Sequence, residues 1–264
     1  MRPSRIKAKL KRNEPVLLPM LHLQDAAVFE LASLMGFDGV WLDLEHHGAS
    51  VETATNLMRA ARTGAADVMC RPAKGEFMRL GRILEAGAQG IMYPRCDNAE
   101  EARKVGTWSK FAPLGCRGID SSNADNRYGS TGLVEYIRAA NENTFICVQI
   151  EDPAALKHIR AMAKVDGVDV IFLGPGDFSI LAGVPGQFGH PSIKNAIHEI
   201  AAAAKEAGKH WGMPVNSPEE ANRLLELGAR FLYCGADILM LRAAFEEMQK
   251  QFARVGFSFD RPVG

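Results

Sequence analysis

The chain has 264 residues, with 31 Lys plus Arg against 31 Asp plus Glu and 47% hydrophobic residues. Its balanced charge, without a basic run, argues against a nucleic-acid partner, and no apolar run approaches the roughly 18 residues of a membrane span. The length suits one α/β barrel or two small domains.

The five cysteines, Cys70, Cys96, Cys116, Cys147 and Cys234, are scattered, odd in number and never spaced Cys-x-x-Cys. That usage supports neither a zinc knuckle nor a disulfide framework and suits a reducing cytoplasm. Residues 1–13 are basic but lack the apolar core of a signal peptide.

Taken in order, Val16 to Leu21 is the first predicted strand and Gln24 to Met35 the first helix, stopped by Gly36. Gly39 to Leu44 is an apolar strand, followed by a helix over 51–63 with Ser50 as N-cap. A strand over 68–71 is broken by Pro72, and a helix over 76–86 ends at Gly87. Then come a strand over 90–94 and a helix over 98–108 that Asn98 can cap. Residues 109–130 break the rhythm, and a loop of that length in a compact domain is usually functional. A helix over 133–140, a strand over 145–150, a helix over 153–163 and a strand over 168–173 follow. The remaining elements are a helix over 192–207 capped by Ser192, a weak strand over 210–213, a helix over 218–227, a strand over 231–234 and a last helix over 238–252. Eight strands alternate with helices, which calls for a parallel sheet closed into a (β/α)8 TIM barrel, read as a single domain over 1–264. No Gly-x-Gly-x-x-Gly follows the first strand, which counts against a dinucleotide fold.

The chain is organised around Gly36 to Gly48, where an apolar strand ends in Asp43, Glu45, His46 and His47. Unpaired buried charge is costly, so ionisable groups gathered at the C-terminal tip of a strand point to a barrel active site. The same rule picks out Arg71 after the third strand, Gln149 and Glu151 after the fifth, and Gly174-Pro175-Gly176-Asp177 after the sixth. Glu151 and Asp177 form the best metal pair, since two carboxylates with room for water suit a hard divalent cation. Backbone N–H groups around Gly176 make a nest for a carboxylate, and the fork of Arg71 suits an oxyanion. His46 is the natural base, with Asp43 able to orient it. Arg71 as a purely structural partner of a core acid, and Asp177 as a helix cap, are the bland alternatives. Trp41, Met20 and Met213 read as packing residues, and His158, His190 and His198 as solvated.

Gly36-Phe37-Asp38 with Asp43-Leu44-Glu45-His46, then Arg71-Pro72, Val148-Gln149-Ile150-Glu151, and the run from Gly167 to Ser179 through Gly174-Pro175-Gly176-Asp177, together resemble the class II pyruvate aldolases. This is the hydroxyoxoheptanedioate aldolase family (HpcH/HpaI), which includes 2-dehydro-3-deoxyglucarate aldolase; the resemblance runs from about Leu10 to Phe252. It implies reversible cleavage of a 4-hydroxy-2-oxo acid to pyruvate and an aldehyde. It also implies a divalent metal (Mg2+, Mn2+ or Co2+) on the residues matching Glu151 and Asp177, with pyruvate chelating it. Backbone amides of Gly176 and Asp177 would hold the pyruvate carboxylate, Arg71 would stabilise the enolate, and His46, supported by Asp43, would move the proton, with Glu45 bonding metal-bound water. The resemblance further implies a last helix exchanged between subunits and a hexamer built as a trimer of dimers.

The chain departs from that pattern at His22, His47, Glu85, Asp120, Trp211, Met213 and Asn216. These changes leave the enolate half of the chemistry intact, while His22, His47 and Asp120 would make the aldehyde half of the pocket more polar and more crowded. An oxaloacetate decarboxylase, a citryl-thioester-type lyase and a non-catalytic oxo-acid-binding barrel are the alternatives.

Overall fold

Eight parallel strands pair in sequence order and close into a barrel, the last hydrogen-bonded to the first. The structure is a computed structural model and describes residues 1–260. The strands are β1 (Val16–Leu21), β2 (Gly39–Asp43), β3 (Asp67–Arg71), β4 (Gly90–Tyr93), β5 (Phe145–Ile150), β6 (Val170–Leu173), β7 (His210–Val215) and β8 (Phe231–Ala236). The helices on the outside are α2 (Ala26–Leu34), α3 (Val51–Ala61), α4 (Phe77–Ala86), α5 (Ala99–Ser109), α6 (Leu133–Asn143), α7 (Ile159–Ala163), α9 (Pro191–Glu206) and α10 (Pro218–Glu226). Three more helices, α1 (Arg5–Lys11), α8 (Pro175–Leu181) and α11 (Asp237–Ala253), have separate roles.

The alternation of strand side chains divides the core in two. Val40, Leu42, Val68, Cys70, Ile146, Val148 and Ile171 face outward into the layer between strands and helices. Trp41, Met69, Phe145, Cys147, Val170 and Phe172 face inward and fill the barrel. Continuing the inward series by twos brings Asp43 after Trp41, Arg71 after Met69, and Gln149 then Glu151 after Cys147. The ionisable strand ends are therefore the top layer of the barrel interior. The β2–β3 register sets Asp43 directly beside Arg71.

The bottom of the barrel is closed by α1, which no sequence pattern marked. Ile6 and Leu10 are buried in the barrel-interior cluster. Buried Asp67, at the start of β3, accepts from Ser4 Oγ at 2.6 Å and from the Ile6 N–H at 2.9 Å. Ser4 also caps the helix by accepting from the Lys7 N–H.

Most predicted boundaries fall within a few residues of the observed ones, and the differences have local causes. The cap of α9 is His190, whose side chain accepts from the Ser192 N–H, because Pro191 takes the first helical position. The predicted helix over 153–163 is a 3-10 turn, Pro153–His158, followed by α7. The turn Gly174-Pro175-Gly176-Asp177 opens α8, with Gly174 as cap and Asp177 in the first turn. Between α5 and α6 the long loop packs on a small core of its own, where Phe111 meets Tyr136 edge-on and Arg117 lies 4.5 Å from the Phe111 ring centroid. It lines no part of the cavity at the barrel mouth. Cys70, Cys96 and Cys147 are buried free thiols. Among the described residues, no helix is long and apolar enough to cross a membrane.

Candidate active site

A cavity of about 420 Å³ opens at the C-terminal ends of the strands, lined among others by Trp41, His46, Arg71, Gln149, Glu151, Gly174, Gly176 and Asp177. Its polar wall is one connected chain. Arg71 donates Nε and Nη2 to the two oxygens of Asp43 at 2.9 and 2.7 Å. Its Nη1 donates to Gln149 Oε1 at 3.3 Å, and Gln149 Nε2 donates to Glu151 Oε1 at 2.8 Å. The other Glu151 oxygen accepts from the Arg95 N–H at 3.1 Å. Arg95 then sends its side chain to Asp177, Nη2 to Oδ1 at 3.5 Å. Beneath the polar wall, the Arg71 guanidinium lies 4.9 Å from the Trp41 ring centroid, a cation–π contact that further fixes its plane. Trp41 is thus buried, but it is also part of the site's floor.

Burial and charge act on these acids in opposite directions. Burial raises the Asp43 carboxyl, but the hydrogen bonds and charge of Arg71 outweigh it and hold Asp43 below the usual range. Burial raises Glu45, only partly offset by Arg71. Burial pushes Glu151 up to about 7, with Asp177 and Glu45 adding repulsion against the attraction of Arg71.

The histidines sort differently from the sequence expectation. His46 is half exposed at the mouth, and its nearest carboxylate is Glu45, Nε2 to Oε2 at 3.6 Å. Asp43, expected to orient His46, gives both oxygens to Arg71, and the imidazole beside it is His47, Nε2 to Oδ2 at 3.8 Å. The reason is geometric. Asp43 is the last inward residue of β2, level with Arg71, whereas His46 lies beyond the strand on the turn. His47 stacks on His22 with ring centroids 4.0 Å apart, and neither ring lines the cavity. Asp120 is also remote from it, its N–H donating to Glu85 Oε1 at 3.1 Å on the outer surface. Of the departures from the family pattern, Met213 and Asn216 do line the cavity.

Arg95, just past the end of β4, is a further residue of the site that the sequence expectation does not include. Its left-handed backbone, φ 46°, turns the chain so that its N–H meets Glu151.

Among the described residues, no group of three or more His, Cys, Asp or Glu side chains forms a metal cage. Glu151 and Asp177 therefore offer a pair of carboxylates and leave other positions for water or substrate oxygens, a set that fits a hard cation. One observation favours the fit: burial holds the Glu151 carboxyl up at about 7 against the attraction of Arg71, so a further cation beside it would favour the ionised form. Glu45 Oε2 is already engaged, 3.2 Å from Arg71 Nε. Gly174 completes the cradle, since a Cβ there would stand 2.5 Å from Glu151 Oε1 and 2.8 Å from Gln149 Nε2.

Fold and site together define a (β/α)8-barrel protein with an acid-and-arginine centre at the C-terminal strand ends. The chain belongs to the HpcH/HpaI aldolase/citrate lyase family, whose profile matches residues 20–244. It is 32% identical over 247 residues to the 4-hydroxy-2-oxo-heptane-1,7-dioate aldolase of Shigella flexneri, covering 93% of this chain and 92% of that one. It is also 32% identical over 227 residues to the 2-keto-3-deoxy-L-rhamnonate aldolase of Salmonella paratyphi B, covering 86% and 84%. Among solved structures, the HpcH/HpaI aldolase from Desulfitobacterium hafniense superposes with a TM-score of 0.89 at 26% identity, over 97% of this chain and 98% of that one. The CitE protein of Mycobacterium tuberculosis, solved in complex with magnesium and acetate, shares the fold at a TM-score of 0.57 and 18% identity, over 85% and 87% of the two chains.

Proposed function

We propose that this chain is a metal-dependent class II aldolase that reversibly cleaves a 4-hydroxy-2-oxo acid to pyruvate and an aldehyde. The observation that carries this reading is the chain Asp43–Arg71–Gln149–Glu151, a clamped guanidinium tied to a buried carboxylate beside Asp177. Membership of an aldolase and lyase family, with relatives named for hydroxy-oxo acid and keto-deoxy acid cleavage, supports it.

Glu151 and Asp177 would hold Mg2+, Mn2+ or Co2+, which when bound supplies Lewis-acid polarisation of the 2-oxo group. Asp43 keeps Arg71 charged and in one orientation, so its guanidinium stabilises the negative charge that develops at the 2-oxygen. The N–H groups of Gly176 and Asp177, in the first turn of α8, have no acceptor within the helix and bind the substrate carboxylate. His46 takes the proton from the 4-hydroxyl as the C3–C4 bond breaks and returns one in the reverse direction, oriented by Glu45. C4 becomes the carbonyl carbon of the departing aldehyde, the electron pair of the broken bond passes into the pyruvate enolate, and a proton added at C3 gives pyruvate.

The same reading includes a homo-oligomer, a hexamer of paired subunits that exchange α11. The support is the apolar stripe on that helix, which the chain itself leaves exposed.

The test is proton–deuterium exchange at the methyl group of pyruvate, followed by NMR, with EDTA and then with Mg2+ or Mn2+ restored. Exchange that requires metal is the expected result. Its absence under every metal would remove the pyruvate assignment. Glu151→Ala is expected to lose Mn2+ binding and exchange while keeping its circular dichroism; metal activation retained in that variant would remove Glu151 from the site.

A further inference from the structure

We infer that the aldehyde half of the pocket is built for an uncharged, largely apolar aldehyde, and that it discriminates against one carrying a second carboxylate. The inference rests on the aldolase reading above and extends it to the substrate class. Its basis is how the cavity lining divides. The polar groups lie on one side, where Arg71, Gln149, Glu151 and Asp177 take up the oxo acid. The remaining wall comes from the opposite strands and from α8. Met20 lies next to last in β1, Met213 in β7 and Tyr233 in β8. Ile180 from α8 and Phe188 just after it stand at the rim, 59% and 52% exposed. The floor is aromatic: the Trp41 and Tyr233 rings meet edge-on at 4.9 Å, and Phe172 stacks beside Tyr233 at 6.1 Å.

Charge points the same way. Arg71 is the one Lys or Arg among the described residues that line the cavity, and its fork is committed to Asp43 and Gln149. Arg95 is engaged with Asp177 and lies outside the lining. The charged group on the aldehyde side is an acid, Glu220. It accepts from the Asn216 N–H at 2.9 Å and stands 3.7 Å from Arg223, which points into solvent. A distal carboxylate would therefore lie against Met213, Ile180 and Phe188, beside the like charge of Glu220, while the nearest cation on that side, Arg223, is already paired with Glu220 at 3.7 Å. Taking a carboxylate out of water without a free partner is unfavourable, whereas an alkyl or aryl tail gains by covering Ile180 and Phe188.

The experiment is aldol addition of pyruvate by the metal-loaded protein to butanal and, separately, to 4-oxobutanoate, which carries a carboxylate where butanal carries its terminal methyl. The expected result is a kcat/KM at least tenfold higher for butanal. Equal use of the two, or preference for 4-oxobutanoate, overturns the inference. So does metal-dependent exchange of the pyruvate methyl with neither aldehyde accepted, although the aldolase half-reaction would then stand. Loss of exchange as well would overturn the aldolase reading and this inference together. The second arm is Asn216→Arg, which adds a cation at the exposed rim. The ratio of the two aldehydes, a readout independent of overall rate, should shift at least tenfold toward 4-oxobutanoate. An unmoved ratio would show that this wall does not set the selectivity.

Discussion

Arg71 and Asp43 face each other across the β2–β3 pair and share two parallel hydrogen bonds, 2.9 and 2.7 Å, with both side chains buried. A buried pair of this kind is poor evidence for net stability but costly to break, since the remaining partner is an uncompensated charge. Its function is to hold a cation in one orientation where negative charge will form.

Arg71→Lys keeps the charge and loses the fork. Turnover should fall by about 10²–10³, the scale of removing one well-placed oxyanion donor, with the fold intact. Asp43→Ala should in addition lower unfolding free energy by ~3–5 kcal/mol, read from urea melts. An Arg71→Lys enzyme with full turnover would make the pair structural only.

His46 sits on the turn beyond β2, half exposed and 3.6 Å from Glu45. His46→Ala should lower kcat by about 10²–10⁴, the range of a general acid–base group, and leave pyruvate affinity near wild type because the groups that bind it are elsewhere. The check is a steady-state kcat and KM comparison together with pyruvate binding by calorimetry. Unchanged kcat would remove His46 as the proton carrier.

Gly174 has no room for a side chain on the cavity side, where a Cβ would press on Glu151 and Gln149. Gly174→Ala should therefore weaken Mn2+ binding at least tenfold by displacing Glu151, with little loss of secondary structure. Titration of Mn2+ by electron paramagnetic resonance reads this directly. Wild-type affinity would mean that Glu151 is not a ligand or that it can move freely.

The barrel and its chemical end were legible because two simple periodicities carry them. Alternation placed Asp43, Glu151 and the other acids at strand tips, and glycine stops at Gly36, Gly87 and Gly208 bounded the helices. What escaped detection was decided by contacts distant in sequence. The helix α1 is only Arg5–Lys11, and what fixes it is buried Asp67, some sixty residues away. The weak strand expected over 210–213 runs on to Val215 as β7. Gly212 is required there, since a Cβ would meet the Phe231 carbonyl oxygen at 1.5 Å. The partner of His46 was misplaced because sequence adjacency does not show that Arg71 occupies both oxygens of Asp43. The stack of His22 on His47 joins the ends of β1 and β2, and no local pattern encodes it.

Asp67 gives a stability prediction with a definite sign. Burial raises its carboxyl from 3.8 to about 6, against the hydrogen bonds from Ser4 and Ile6 that favour the ionised form. The folded chain therefore binds a proton more tightly than the unfolded one. This group's contribution is fully present below about pH 4 and is lost as pH rises through 6, about 3 kcal/mol at 1.36 kcal/mol per unit. Asp67→Asn should flatten the slope of unfolding free energy between pH 4 and 6 in urea titrations. A slope identical to wild type would mean that Asp67 titrates normally in the fold.

The last helix carries the assembly prediction. Ile238, Leu241, Phe245, Met248 and Phe252 recur at spacings of three and four, which puts them on one stripe of α11. They are 39–52% exposed in the single chain, and the helix packs mainly on β1 and β8 at its start. Full burial of side chains of this size contributes about 1.5–3 kcal/mol each, of which roughly half remains to be gained here, so a stripe of five is still a drive to pair with another copy. Light scattering coupled to size exclusion should give a mass several times the 28.8 kDa of one chain. Leu241→Glu with Phe245→Glu should reduce that mass and, if α11 is exchanged between subunits, lower stability as well, because each barrel then receives its last helix from the partner. A monomeric wild-type protein at micromolar concentration would show that the stripe serves another purpose.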